Sequence, residues 1–211
     1  DTSLLAITIN ADPIINFPII DDICSNEPPI NLNNASPSGG VYSGNGVNSS
    51  IFTPSISNLG NNIITYNLTD VNGCSNTATQ TITVNETPSI SLGSDTEIPC
   101  RTTITIIPII SGGTTPYSYM WNDGSTDPEL ITDGGTTSVI LTDANGCTVS
   151  DEIIITQDAT PVATISGGGN ICNDGSTITI NFTFSGLLPW NLTYTDGENT
   201  SLINNINSNN Y

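Results

Sequence analysis

One segment occurs twice. Residues 68–84 read LTDVNGCSNTATQTITV, and residues 141–157, displaced by 73, read LTDANGCTVSDEIIITQ. Each has a strand-like end in Leu-Thr-Asp, a turn ending in Asn-Gly, a cysteine, and a second run rich in Thr, Ile and Val. The segments that follow also match: ITINADP at 7–13, ITVNETP at 82–88 and IITQDATP at 154–161 each end in Pro, at Pro13, Pro88 and Pro161. A third set, DDIC at 21–24, TEIPC at 96–100 and GGNIC at 168–172, precedes a candidate strand each time. A period of about 75 residues suits a small two-sheet sandwich. It divides the chain into 13–87, 88–160 and an incomplete 161–211, with residues 1–12 matching only the last strand of a preceding unit. Linkers this short, each ending in Pro, predict units strung into a rod.

Composition agrees with strands. Of 211 residues, 31 are Ile, 31 Thr and 27 Asn, which favours β-branched strands separated by turns. In the second repeat, TTITIIPII at 102–110 predicts a central strand with a bulge or edge position at Pro108. Tyr117, Tyr119 and Trp121 alternate onto one face of the next strand, Asp123-Gly124 turns the chain, and 136–143 and 147–157 form a closing pair. In the third repeat, 176–184 and 190–195 read as strands. Trp121 and Trp190 are expected in cores. The predicted fold is all-β, a tandem of small β-sandwiches.

The composition excludes much chemistry. There is no His and no Lys, one Arg, and 20 acidic residues, for a formal net charge of -19. No His-based triad, Schiff base, Walker loop or Lys–Asn isopeptide bond can form. A polyanion has no cations with which to displace phosphate counterions, so nucleic acid is not a partner. Its self-repulsion suits salty, calcium-containing surroundings. A trypsin-like protease finds one site, Arg101. No apolar run is long enough to span a membrane, and no signal peptide opens the chain, which reads as a mature chain or a segment of a longer one.

Five cysteines, Cys24, Cys74, Cys100, Cys147 and Cys172, contain no C-x-x-C pair, which argues against zinc or iron–sulfur binding. Their spacing predicts one disulfide within each complete repeat, Cys24–Cys74 and Cys100–Cys147, in an oxidising compartment. Cys172 is then unpaired or has its partner outside the chain. Two readings of the ends stay open. The chain is a window on a longer array, or it is a fibre subunit whose residues 1–12 add as a strand to the incomplete third unit of a neighbour.

These motifs resemble the tandem immunoglobulin-like and PKD-like repeats of giant secreted surface proteins of the Bacteroidetes, gliding-motility adhesins among them. The similarity lies in YSYMWNDGSTD at 117–127, TSVILTDANGC at 137–147 and ICNDGSTITINFTFSGLLPWNLTYTDG at 171–197. It implies a non-catalytic extracellular segment, on a bacterial surface or secreted, forming the shaft of an adhesin or fibre. The partners implied are neighbouring repeats or identical subunits. The alternative role is a carbohydrate-binding or accessory module, which would present Trp190, Tyr194 or Tyr42 to solvent.

Candidate sites are few. Asp70, Asn72, Asp143 and Asn145 lie in the paired turns and Asp123 and Asp127 in a second loop, with Asp196 and Glu198 in the corresponding part of the third unit. Calcium suits such oxygens, but the EF-hand spacing is absent and Asx side chains also cap turns without metal. Asp12, Asp21 and Asp22 would flank a calcium between units. No cofactor is required. The sequons at Asn34, Asn48, Asn67, Asn85, Asn181, Asn191 and Asn199 would carry glycans in a eukaryotic secreted protein. The acids are scattered over turns rather than gathered as a catalytic pair.

Overall fold

The computed structural model describes residues 7–172, 174–195 and 197–211, and those residues are all-β apart from one 3-10 turn at Pro54–Ile56. The first repeat contains β1 (Ile23–Cys24), β2 (Ile30–Asn31), β3 (Val41–Ser43), β4 (Val47–Asn48), β5 (Ile51–Phe52), β6 (Gly60–Thr69) and β7 (Ser75–Asn85). The second contains β8 (Ser89–Ser91), β9 (Thr96–Ile98), β10 (Ile104–Ile106), β11 (Ile109–Ser111), β12 (Ser118–Trp121), β13 (Leu130–Thr132), β14 (Gly135–Thr142) and β15 (Thr148–Gln157). The third holds β16 (Val162–Gly167), β17 (Ile180–Ser185), β18 (Trp190–Thr195) and β19 (Thr200–Ile206).

The sequence repeat is a repeat of topology. One sheet has the order β1-β7-β6-β3 and another the order β9-β15-β14-β12. In each, the short first strand runs parallel to the long last strand: Ile23 pairs with Val84 in one, Thr96 with Ile155 in the other. The Asn16–Ser36 bridge of the first repeat recurs as the β8–β11 pair. The β2–β5 pair recurs as β10–β13. Compactness divides the chain into one unit made of residues up to Ser91, Ile109–Thr126 and Val139–Asp151, and another made of Leu92–Pro108, Asp127–Ser138 and Glu152–Tyr211.

The first core shows how the pattern makes a sandwich. Along β6, Asn62, Ile64, Tyr66 and Leu68 alternate inward while Ile63 and Asn67 face out. Ile82 and Val84 of β7 join them, and Leu32 and Phe52 close the core from the side of the β2-β5-β4 sheet. Period-two alternation delivers one apolar face per sheet, and two such faces bury each other. Phe17, Tyr42 and Tyr66 form an aromatic cluster within it. The Tyr66 hydroxyl donates to the Pro37 carbonyl at 2.7 Å and accepts the Gly40 N–H at 2.7 Å. Tyr66→Phe will strand both backbone groups and should cost about 1–3 kcal/mol, read from urea unfolding midpoints; an unchanged midpoint would show that water replaces the hydroxyl.

Several expectations hold and others do not. β14, β15 and β18 lie where the alternation puts them, and Trp121 is buried with Met120 exposed beside it. The single strand expected over 102–110 is instead two. Pro108 has no N–H for a ladder, and the chain breaks there into β10 and β11, which pair in different sheets. In the third repeat the strand begins at Ile180 rather than 176. Residues 7–12 form no strand and are exposed; the rest of the 1–12 segment lies outside the described residues.

Candidate functional site

The two Asn-Gly-Cys turns are built alike. Asp70 Oδ1 accepts the N–H groups of Asn72 and Cys74 at 2.9 and 2.8 Å. Asp143 Oδ1 accepts those of Asn145 and Cys147 at 2.9 and 2.8 Å. Gly73 and Gly146 both stand at φ 84°, a left-handed conformation that a residue with a Cβ adopts only under strain. The aspartate therefore organises the tip of the β6–β7 and β14–β15 hairpins, and the cysteine follows at a fixed place. The second turn has one more tie: Asp143 Oδ2 accepts the Thr114 N–H at 2.9 Å, and Asn145 Nδ2 donates to Thr114 Oγ1 at 2.9 Å. Asp143 is accordingly buried and Asp70 half-buried.

The cysteines do not pair within repeats. Cys24 is bonded to Cys147, with Cα atoms 5.6 Å apart, and Cys74, Cys100 and Cys172 are free thiols. This corrects the expected pairings Cys24–Cys74 and Cys100–Cys147, and the strand register gives the reason. β1 pairs in parallel with the far end of β7, setting Cys24 opposite Asn85, whereas Cys74 precedes the start of that strand. An extended strand rises about 3.3 Å per residue, so the two lie roughly 35 Å apart along β7, and a disulfide spans about 6 Å. The same holds in the second repeat, where Ile98 faces Gln157 at the end of β15 and Cys147 precedes its start. An early cysteine sits at the opposite end of its repeat from the late one. Cys24 instead meets the hairpin tip that carries Cys147, where Asn26 Nδ2 also donates to the Thr148 carbonyl at 3.2 Å. A sequence shows which cysteines recur; which end of a strand each occupies depends on β1 running parallel to β7, which no local pattern announces.

Cys74 stands at the corresponding tip of the first repeat. Its Sγ is 3.8 Å from the Asn10 carbonyl, and neighbouring Asn76 Nδ2 donates to the Pro13 carbonyl at 2.9 Å. Partial desolvation, with the Asp70 and Asp12 carboxylates near by, raises its thiol above the ordinary value. Iodoacetamide labelling of Cys74, followed by peptide mass, should therefore reach its half-maximal rate above the ordinary thiol pKa of about 8.5. A midpoint at or below that value would contradict the acidic surroundings.

The oxygen-rich loops serve their own backbones. Asp123 Oδ1 accepts the Ser125 N–H at 2.8 Å, which holds this carboxyl below its ordinary value. Asp174 is lowered by the Ser176 hydroxyl and then by its N–H at 3.0 Å. Both contributions are present above the ordinary carboxylate range and vanish as pH falls through the lowered value. Among the described residues no three His, Cys, Asp or Glu side chains gather as a metal site. Asp70 with Asn72 and Asp143 with Asn145 lie on two turns, Asp123 lies in the turn closed by the Gly124 N–H on the Trp121 carbonyl, and Asp127 lies in the bend beyond it; Asp22 Oδ1 accepts the Thr83 N–H at 3.1 Å, and Asp196 lies outside the described residues. Of the sequons, Asn34, Asn48, Asn67, Asn181, Asn191 and Asn199 are exposed and Asn85 is half-buried.

The aromatics divide. Tyr42 is buried, its hydroxyl accepting the Ala35 N–H at 2.9 Å. Trp190 lies half-buried against Phe184, ring centroids 5.7 Å apart. Tyr194 is exposed beside Phe182. No helix among the described residues is long and apolar enough to cross a membrane.

No family model matches the sequence, and no curated protein matches it. Solved structures do. The chain is similar to the N-terminal eight immunoglobulin domains of Down syndrome cell adhesion molecule, at 13% identity over 79% of this chain with TM-score 0.39. It spans 31% of that fragment. It is similar to the I-band fragment I67–I69 of titin, at 12% identity over 92% of this chain and 82% of the fragment, with TM-score 0.36. It is also similar to the first two immunoglobulin domains of DIP-gamma, at 10% identity over 70% of this chain and 99% of that one, with TM-score 0.30.

Proposed function

We propose that this chain is a non-catalytic repeat segment of an extracellular adhesin or fibre, on a bacterial surface or secreted, whose work is mechanical. The observation that supports it is the cystine joining the early cysteine of one repeat to the late cysteine of the next, across 123 residues. Such a bond persists in oxidising surroundings. It also takes the chain between its ends out of the path of a pulling force, because tension entering at Cys24 leaves at Cys147. The functional partners are then like repeats. Calcium and glycans are additions to this role rather than requirements of it: the turn carboxylates already bind their own N–H groups, and most sequons face solvent.

Stretching single molecules by their termini tests it. With the disulfide intact, unfolding should release only the residues outside the 24–147 loop. Reductant should add the loop itself, roughly 400 Å at 3.3–3.6 Å per residue. Equal extension with and without reductant would contradict the mechanical staple. Micromolar binding on a glycan array would replace the mechanical reading with recognition, and Tyr194 would be the first residue to test.

A further inference from the structure

Three Asn-Gly pairs stand in the chain, Asn45-Gly46, Asn72-Gly73 and Asn145-Gly146. An asparagine followed by glycine is open to attack by its own backbone, because a glycine nitrogen has no Cβ beside it to hinder the approach. The last two pairs occupy the same place in the two Asp-organised turns. The Gly73 N–H donates to the Asp70 carbonyl at 3.1 Å and the Gly146 N–H to the Asp143 carbonyl at 3.0 Å, so the two nitrogens are held alike. The two side chains are not. Asn145 Nδ2 donates to Thr114 Oγ1 at 2.9 Å, and the Thr114 carbonyl accepts the neighbouring Ala144 N–H at 2.8 Å. Asn72 is exposed, and the bond it makes is through its backbone N–H, to Asp70.

The difference traces to one residue inside the two complete repeats. Val41 pairs with Asn67 and Met120 with Ile140, and Asn67 and Ile140 are equivalent in the repeat. β3 and β12 therefore align with exposed Val41 on exposed Met120, buried Tyr42 on buried Trp121, and Pro37 on Pro116. The same alignment sets Ala35 where the second repeat has Thr114. Alanine has no hydroxyl to offer, and the Ala35 N–H is committed to the Tyr42 hydroxyl rather than to Asp70. The 143–146 turn is thus clamped by Thr114, whereas the 70–73 turn stands open, with Val71 102% exposed. Asn45 is held differently: its Nδ2 donates to the buried Asn62 Oδ1 at 3.4 Å, and Gly46 is half-buried.

We propose that Asn72 is a site of spontaneous modification, converting to aspartate and isoaspartate through a cyclic imide, and that the Thr114 hydroxyl protects Asn145 from the same reaction. The Gly73 nitrogen loses its proton and bonds to Asn72 Cγ; the Cγ–Nδ2 bond breaks and ammonia leaves. Water then opens the ring. Cleavage between Cγ and the Gly73 nitrogen leaves aspartate, and cleavage at the Asn72 backbone carbonyl leaves isoaspartate, in which the main chain runs through Cγ. One water is consumed and one ammonia released for each side chain converted. Attack requires the amide to swing until Cγ lies over the glycine nitrogen. A side chain at an open tip does so freely, whereas one tied to Thr114 must first break that bond in a local opening. Isoaspartate lengthens the backbone between the N–H groups of residues 72 and 74, so Asp70 Oδ1 no longer matches both, and the first turn loses its organising contact.

The test is storage of the folded chain in mildly alkaline buffer, with samples digested and each Asn-Gly peptide followed by mass and by isoaspartate methylation. Asn72 should be lost at least about fivefold faster than Asn145 or Asn45, the factor that one hydrogen bond of ordinary net strength supplies. In urea Asn72 should be no faster than Asn145, since the bulkier Val71 stands before it where Ala144 stands before Asn145. Thr114→Ala removes the hydroxyl and keeps both backbone bonds of residue 114. It should bring Asn145 to the Asn72 rate, and Thr114→Ser should keep Asn145 slow, with circular dichroism confirming that both variants are folded. Equal loss at 72 and 145 in the folded chain, a faster Asn72 that survives urea, or a folded Thr114→Ala chain in which Asn145 stays slow would overturn the proposal. The repeat-segment reading is decided separately, by stretching, and uses neither asparagine side chain.

Discussion

Reducing the chain, or replacing Cys24 by Ser, will destabilise the compact unit that holds Cys24 and Cys147 by about 5 kcal/mol in the chain-entropy account, because the bond closes a loop of more than a hundred residues. At roughly 2–4 °C per kcal/mol for a chain of this size, the melting temperature should fall by about 10–20 °C. Cys24 is the better position to change, since it is half-buried, whereas Cys147 is fully buried and a Ser hydroxyl there would add its own desolvation cost. Cys74→Ser and Cys100→Ser, which break no bond within the molecule, should leave the melting temperature unchanged. Calorimetry with and without reductant separates the cases. A Cys74→Ser chain as unstable as Cys24→Ser would mean that repeats are clipped internally after all.

Asp143→Ala will cost about 3–5 kcal/mol and Asp70→Ala about 1–2 kcal/mol, although the two residues occupy the same position of the same motif. Hydrogen bonds to a charged acceptor are worth roughly 1.5–3 kcal/mol each when their loss strands a buried partner. Asp143 accepts three N–H groups, from Thr114, Asn145 and Cys147, and is buried. Asp70 accepts two, from a turn more open to water that can replace it. Losing Asp143 also frees the turn that presents Cys147, so the disulfide in Asp143→Ala should be reduced faster by dithiothreitol. Asp143→Asn keeps an oxygen acceptor and should recover part of the loss. Equal costs at 70 and 143, read from denaturant midpoints, would show that the Thr114 tie contributes nothing.

Much of this was legible in the residues. The Leu-Thr-Asp…Asn-Gly-Cys segment announces a strand, a turn and a strand, and β6–β7 and β14–β15 are those hairpins. The alternation of Tyr119 and Trp121 with Met120 gives the buried face of β12 correctly. The Asx-turn role of Asp70 and Asp143 follows from short side chains placed two and four residues before the N–H groups they accept. What the residues did not show is long-range. Pro108 predicts a bulge or edge position in one strand, but whether a chain crosses between sheets at such a point depends on what each half can pair with. The extra bond from Thr114 to Asp143 joins residues 29 apart. Two cysteines at a repeating interval suggest closure of each repeat, and only the parallel pairing of Ile23 with Val84 sets the early cysteine at the wrong end for that.

The most direct measurement uses the lone Arg101. In a Cys100→Ser chain with free thiols alkylated, trypsin should cut once after Arg101, and denaturing electrophoresis without reductant should still show a single species of full mass. Cys24 in one fragment holds Cys147 in the other, and reductant should release two fragments. If the fragments separate without reductant, Cys24 is not bonded to Cys147, and the staggered linkage between successive repeats is wrong.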